Sequence, residues 1–291
     1  MNNELNAIAS NFNIWEHIEP YGDGHINETF EALPCAGRFI LQKINSDVFE
    51  KPEEVMENIS AVTEHLRKKI IKEGGDPLKE TLTIVKTLDG KSFYKTDDGR
   101  YYRMYIFIEG ARTYNVVEKP EHFYNAAKAF GRFQKLLADF PADKLHETIK
   151  DFHNTPKRFA DFEKAITNNI SGRADNVKKE IEFALKRKNI ASVITDAIKD
   201  GSIPLRVTHN DTKYNNIMID DLTGNAVAVI DLDTVMPGSL LYDYGDSLRF
   251  GTNPVSEDEK NLDSFTVTLI CSNALQGVLL RRWQTRSLPT K

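Results

Sequence analysis

Cysteine is scarce: the 291 residues contain two, Cys35 and Cys271. Two distant thiols make neither a disulfide framework nor a zinc site. Long apolar runs are missing too. No stretch approaches the about 18 apolar residues of a membrane-spanning helix. The opening "MNNELNAIASNFNIW" has no basic segment followed by an apolar core, so it does not read as a signal peptide. A cytoplasmic location is expected. Nor is there an excess of one charge: 38 basic residues against 43 acidic ones leave a net charge of −5. That balance argues against nucleic acid or an anionic membrane as a partner. The basic run "RKKIIK" at 67–72 is expected to be a solvated helix end. Internal repeats and low-complexity tracts are absent.

What remains is the composition of a globular chain, with 40% hydrophobic and 10% aromatic residues, enough for a sizeable core. "HINETFEALPCAGRFILQKI" predicts two strands joined by a turn around Pro34 to Gly37. "KPEEVMENISAVTEHLRKK" predicts a helix: Pro52 suits its first turn, and Val55, Ile59, Val62 and Leu66 fall on one stripe. "TLTIVKTLDGKSFYKTDDGRYYRMYIFI" predicts three further strands, with turns at Asp89-Gly90 and Asp98-Gly99. From about residue 120 the spacing becomes helical. The boundary falls near "IEGART", 108–113. We therefore divide the chain into a small β-rich lobe, 1–110, and a larger, mainly helical lobe, 111–291. A cleft between two such lobes suits a small-molecule site.

The densest chemistry lies in "VTHNDTKYNNIMID", 207–220. Residues 217–220 and 226–233 predict a hairpin around "LTGN". Counting outward from that turn sets Asn216 opposite Asp231, with Cβ atoms roughly 4.5–5.5 Å apart. Strand alternation would turn Asp231 and Asp233 to one face and Ile230 and Leu232 to the other. Hard oxygen donors of this kind suit magnesium, which takes one or two protein carboxylates and completes its shell with water and phosphate. Asp211 sits five residues before Asn216, and His209 two before Asp211. The order His-x-Asp-x-x-x-x-Asn, followed by a strand-borne Asp, is the catalytic-loop pattern of protein kinases. In that pattern Asp211 accepts the proton of the attacking hydroxyl, and Asn216 and Asp231 hold the metal. Lys213 adds positive charge at the transferred phosphoryl group, and His209 braces the loop. Asp and Asn are also frequent in turns ahead of hairpins. Here their joint order, with an acid opposite, outweighs that simpler reading.

"HNDTKYNN" followed by "VIDLDTVMPGSLLYDYGDSLRFGTNP" resembles the aminoglycoside phosphotransferase and choline kinase superfamily, a small-molecule branch of the protein-kinase fold. Within it, "FILQKIN", "VMENISAVTEHLR" and "GRADNVKKEIEFAL" are most similar to the N-acetylhexosamine 1-kinases. The resemblance implies an α+β, protein-kinase-like fold with a catalytic hairpin in the larger lobe. It implies ATP and Mg2+, and phosphorylation of the anomeric hydroxyl of N-acetylglucosamine or N-acetylgalactosamine. It implies Asp211 as base, Asn216 and Asp231 as metal ligands, and Asp243 as a buried support of the loop. Asp246 and Arg249 would hydrogen-bond the sugar, or form a surface salt bridge one helical turn apart. On the nucleotide side the superfamily needs a third-strand lysine, and Lys43 is placed for it. Its glutamate partner would be Glu57 or Glu54; the phrase "MEN" favours the first, the apolar stripe the second. The covering loop would be "YGDGHINETF", with Gly22 and Gly24, although Asn27 stands where a third glycine is usual. "YIFIEG" would be the hinge, with Phe107 and Ile108 offering backbone groups to adenine.

The likeness lapses near residue 265, and the tail "RRWQTRSLPTK" departs from it. Relative to that group the chain is expected to lack helices that close the sugar pocket, and to self-associate through apolar surface left bare. Two other readings stand beside the sugar 1-kinase. One keeps the chemistry with choline, an aminoglycoside or another small alcohol. The other is a nucleotide-binding pseudokinase, against which the presence of Asp211, Asn216 and Asp231 together weighs.

Overall fold

The computed structural model describes residues 2–14, 17–22, 26–35, 37–114, 120–251 and 260–261. A short helix α1 (Asn2–Ala9) leads into β1 (Ile18–Pro20), β2 (Glu28–Ala32) and β3 (Phe39–Ile44). Then come α2 (Pro52–Lys72), one turn of helix α3 (Pro77–Glu80), and the strands β4 (Ile84–Val85), β5 (Tyr94–Lys95) and β6 (Tyr101–Ile106). The strands form one antiparallel sheet in the order β1-β2-β3-β6-β4, with β5 also paired to β6. The two-strand reading of 25–44 and the helix begun by Pro52 both match these elements.

Side-chain parity across this sheet decides what faces the site. Leu41, Tyr102 and Met104 point to one face, where they pack against Leu5, Ile8 and Phe12 of the N-terminal segment. Ile44, Tyr101 and Tyr105 point to the other, against Val55, Met56, Ile59 and Val62 of α2. This second core runs unbroken into the larger lobe, taking in Phe130 and Phe133 and the hairpin residues Ile217 and Val229. Fully burying a side chain of this size stabilises the fold by about 1.5–3 kcal/mol, so the two lobes share one apolar foundation.

After β6 the chain crosses to β7 (Ala111–Arg112), which pairs with Ile219 and Asp220 of the later hairpin. The larger lobe continues with α4 (Pro120–Leu136), α5 (Thr155–Asn168), α6 (Lys178–Leu185) and α7 (Val193–Lys199). It ends, among the described residues, with β8 (Arg206–Thr208), β9 (Ile217–Asp220), β10 (Ala226–Val229), β11 (Met236–Gly238) and α8 (Leu240–Gly251). The hairpin β9–β10 turns through Gly224 at φ +66°, a left-handed conformation that glycine adopts without steric cost. Among the described residues no helix is long and apolar enough to cross a membrane.

Candidate active site

The loop from His209 to Lys213 leaves β8 and is held from three sides. His209 is fully buried, with its ring edge-on to Phe130 and Phe133 at 5.4 and 5.8 Å. Its Nε2 lies 2.9 Å from the Ile230 carbonyl and must donate there, which leaves Nδ1 to accept the Asp211 N–H at 3.3 Å. The imidazole thus ties the loop to the end of β10. From α8, the buried Asp243 accepts the backbone N–H groups of His209 (3.0 Å) and Asn210 (2.8 Å), and the Gln134 amide. Burial pushes the Asp243 carboxyl above its usual range, and these donors oppose that rise. One helical turn on, Asp246 accepts the N–H (2.7 Å) and the hydroxyl (3.1 Å) of Thr212.

This bracing fixes Asp211. The Asn216 amide donates to its carboxylate at 2.9 Å and to its carbonyl at 2.8 Å, and Lys213 Nζ lies 3.4 Å from its other oxygen. The side chain keeps about a quarter of its surface open. Asp211, Lys213 and Asn216 therefore form one constellation.

Asp231 joins it by a route different from the expected one. The hairpin carries a bulge between Ala226 and Ala228, and its register pairs Val229 with Ile217. The Ile230 N–H then bonds the Asn216 carbonyl at 2.9 Å, so Asn216 faces Ile230 and not Asp231. The turn is centred between Leu222 and Thr223, one residue earlier than expected, which alone would set Asn216 opposite Val229; the extra residue at the bulge gives one place back and leaves a slip of one. Strand β10 stops at Val229, and Asp231 sits at φ 57°, ψ 64°, the left-handed region. Strand alternation no longer governs its side chain. Asp231 opens onto the cleft, and among the described residues no hydrogen bond or ion pair reaches its carboxylate. Crowding by protein and the nearby Asp233 charge push it up to about 6, against the pull of Arg103; Asp211 adds a smaller push. An accessible carboxylate flanked by two others and lacking a cation is a site that favours one.

Asp233 does not share that role. It is 3% exposed and gripped by Arg103, through Nη1 to one oxygen and Nη2 to the other at 3.0 Å, while Asn27 donates to it at 2.7 Å. With three of its four lone-pair sites taken and its charge already met by a buried guanidinium, it is a poor metal ligand. Among the described residues no group of three His, Cys, Asp or Glu could hold an ion. The oxygens of Asp231 and Asn216 fit a hard divalent cation that completes its shell with phosphate and water.

On the nucleotide side the structure corrects a set of expectations. Lys43 lies on β3 opposite Glu28 and Tyr102, and pairs with Glu28. It shares a face with Leu41, the face covered by the N-terminal segment, because strand side chains alternate. The residue turned to the cleft is Gln42. Neither proposed glutamate reaches Lys43: Glu57 bonds His146 at 2.7 Å and Glu54 bonds Lys51 at 2.7 Å. Gly22 adopts φ +71°, a conformation that disfavours any side chain, whereas Gly24 lies outside the described residues. Phe107 gives its N–H to Arg38, whose guanidinium stacks 3.7 Å above the Phe107 ring. Ile108 is buried with Met218, Ala228 and Ile230 in a small apolar cluster beneath the cleft.

On the acceptor side Asp246 and Arg249 form an ion pair at 2.9 Å, with Asp246 mostly covered and Arg249 about half exposed. Asp246 is thus tied to both the loop 209–213 and Arg249. The sequence departure near residue 265 lies outside the described residues. Sequence reasoning missed Arg103, Asn27, Gln42 and Thr212. Arg103 did leave a signal, a lone charge in the apolar strand "YYRMYI", where a buried cation demands a buried partner.

Residues 17–262 match the family described as "Phosphotransferase enzyme family". Solved structures with the same fold include a microcompartment-associated aminopropanol kinase, at 13% identity and a TM-score of 0.63 over 99% of this chain and 82% of that one. Another is an aminoglycoside 2'-phosphotransferase in its GDP complex, at 13% identity and a TM-score of 0.57 over 96% and 82%. A third is a spectinomycin phosphotransferase complexed with ADP and spectinomycin, at 12% identity and a TM-score of 0.54 over 100% and 81%. At these identities the likeness establishes the fold: α+β, kinase-like, as the sequence implied.

Proposed function

The chain belongs to the phosphotransferase enzyme family, and we propose that it is an ATP-dependent kinase that phosphorylates the anomeric hydroxyl of an N-acetylhexosamine. The observation that carries this reading is the placement of Asp211, held by the Asn216 amide and beside the unpaired Asp231. In this reading Asp211 accepts the proton of the acceptor hydroxyl as its oxygen bonds the γ-phosphorus and the bond to ADP breaks. Lys213 offsets charge on the transferred group. Asp231 and Asn216 would hold Mg2+, which when bound neutralises the triphosphate. Turnover of an intact enzyme of this kind is about 1–100 per second.

A neutral sugar suits the acceptor side. Among the described residues Asp211 lies beside Lys213 and Asp246 beside Arg249, so these acids are each paired, whereas a polycationic acceptor calls for an acidic excess. The longer phrases "FILQKIN" and "VMENISAVTEHLR" support the same choice. A second reading keeps the chemistry with an amino alcohol or aminoglycoside, the acceptors named for the structural neighbours.

The test is ADP release across N-acetylglucosamine, N-acetylgalactosamine, choline, aminopropanol and kanamycin. Turnover confined to the two sugars is expected. Turnover confined to the amines would replace this reading with the second, and nucleotide binding without transfer to any acceptor would make the protein a pseudokinase. Asp211→Asn should lower kcat at least about 100-fold, the lower bound of general-base assistance, with ATP affinity retained. Undiminished turnover would remove Asp211 as the base.

A further inference from the structure

We propose that Arg103 is a positioning residue for the metal-bearing loop, gripping Asp233 so that Asp231 is presented to the nucleotide. In this chain it stands in for the lysine–glutamate pair of protein kinases. The inference rests on the phosphotransferase reading and adds a device to it.

The third-strand position facing the cleft is Gln42, which is neutral, and Lys43 is turned to the opposite face. Glu54 and Glu57 of α2 are bound elsewhere. Every side chain that α2 buries is uncharged, Met56 and Asn58 among them. Arg103 on β6 is the one lysine or arginine that is buried among the described residues. Its guanidinium uses all three nitrogens: Nη1 and Nη2 hold Asp233, and Nε donates to Gln42 at 3.0 Å. Gln42 passes the tie to Thr29 on β2 at 3.0 Å.

Asp233 also receives Asn27, at the end of the glycine-bearing loop, and Asn27 in turn accepts the Asn45 N–H at 3.0 Å. The strand β6, through Arg103, the loop that would cover the nucleotide, through Asn27, and the turn that carries Asp231 therefore meet at one carboxylate. That turn is pinned from behind as well, since Asn58 donates to the Val235 carbonyl at 2.9 Å and Thr148 to the Asp233 carbonyl at 3.1 Å. Between the two aspartates stands Leu232, 1% exposed in the core, so the turn cannot rotate freely. With both flanks fixed, the left-handed backbone at Asp231 is held in place, and only its side-chain rotamers are free to vary. A planar, five-donor cation suits such a junction in a way that a lysine would not.

A purely structural ion pair would give the same coordinates, so the test separates the two. Calorimetry measures ADP binding with and without Mg2+ for the wild type, Arg103→Met, Arg103→Lys and Asn27→Ala. The metal-dependent gain in ADP affinity should fall about 10- to 100-fold in Arg103→Met, the usual loss when support behind a metal ligand is removed. Arg103→Lys should recover less than half of that loss on a logarithmic scale, and metal-free ADP affinity should change less than about threefold in every variant. Asn27→Ala leaves no buried charge unpaired and keeps the test decisive if Arg103→Met does not fold. It should lower the same gain several-fold. A drop in melting temperature with the metal-dependent gain intact, in Asn27→Ala or in a folded Arg103 variant, would overturn the proposal. If the wild type itself shows no metal-dependent gain, the phosphotransferase reading fails first.

Discussion

Asp243 offers the sharpest quantitative test of how the catalytic loop is held. Its carboxylate is 4% exposed and accepts two successive backbone N–H groups and one side-chain amide. In Asp243→Asn one oxygen becomes an NH2 that cannot accept, so at least one buried donor loses its partner. Hydrogen bonds to a charged group contribute about 1.5–3 kcal/mol each, and an orphaned buried donor costs about 1–3 kcal/mol. Removing a charge that burial already disfavours gives part of this back. The net loss should be about 2–3 kcal/mol, or a fall of about 3–5 °C in melting temperature for a chain of this size. Asp243→Ala leaves both N–H groups unpaired and adds a void, so its loss should be about 4 kcal/mol or more. Differential scanning calorimetry reads the first quantity, and urea unfolding checks the order of the two variants. Below the transition, kcat of Asp243→Asn should fall at least about tenfold, because Asp211 rides on the loop that Asp243 anchors. A melting point within about 1 °C of the wild type, with kcat unchanged, would refute the claim that this carboxylate holds the loop.

The pH response of the unliganded protein follows from Asp231. Its folded pKa of about 6 exceeds its ordinary value of 3.8, so the folded state binds the extra proton and stability should rise as pH falls from 6 toward 4. The paired acids Asp89, Asp98 and Asp139, at about 2, lose their contribution only below that window. Melting temperatures against pH should show this slope in the wild type and lose it in Asp231→Asn; an unaltered slope counts against the assignment. Added Mg2+ should raise the melting point more at pH 7 than at pH 5, and the rise should vanish in Asp231→Asn. Lys43→Ala should leave ATP affinity within about twofold, since the side chain meets Glu28 on the far face of the sheet and an exposed pair contributes about 0–1 kcal/mol; a tenfold loss would restore the lysine to the nucleotide. Gly238→Ala should destabilise by about 1–3 kcal/mol, because its Cβ would meet Thr208 Oγ1 at 2.7 Å; thermal unfolding decides it.

The elements most legible in the sequence were those set by local chemistry. Pro52 and the stripe from Val55 to Leu66 specify α2, and the Asp-Gly pairs specify the turns between the later strands. The loop constellation was legible for a related reason. Asp211, Lys213 and Asn216 lie within six residues, so a short, braced segment brings them together whatever the rest of the chain does.

Legibility fell wherever a role depends on strand parity or on a partner far along the chain. Lys43 and Gln42 are adjacent, and β3 is buried on both faces, so no polar alternation marks which side is the cleft. The cation in the resembling position stands on the far face, paired with Glu28. The Asn216–Asp231 register failed by one because the turn is centred one residue earlier than "LTGN" suggests, a shift of two places of which a bulge, unmarked in "NAVAVI", returns one; Asp231 then escapes alternation through a left-handed backbone. The two aspartates of "DLD" look equivalent in sequence, and what separates them is Arg103, 130 residues before Asp233. One acid is neutralised by that arginine and the other is left open to the cleft. Their division of labour is set by where a single buried charge in another lobe can reach, which is a property of the fold and not of the motif.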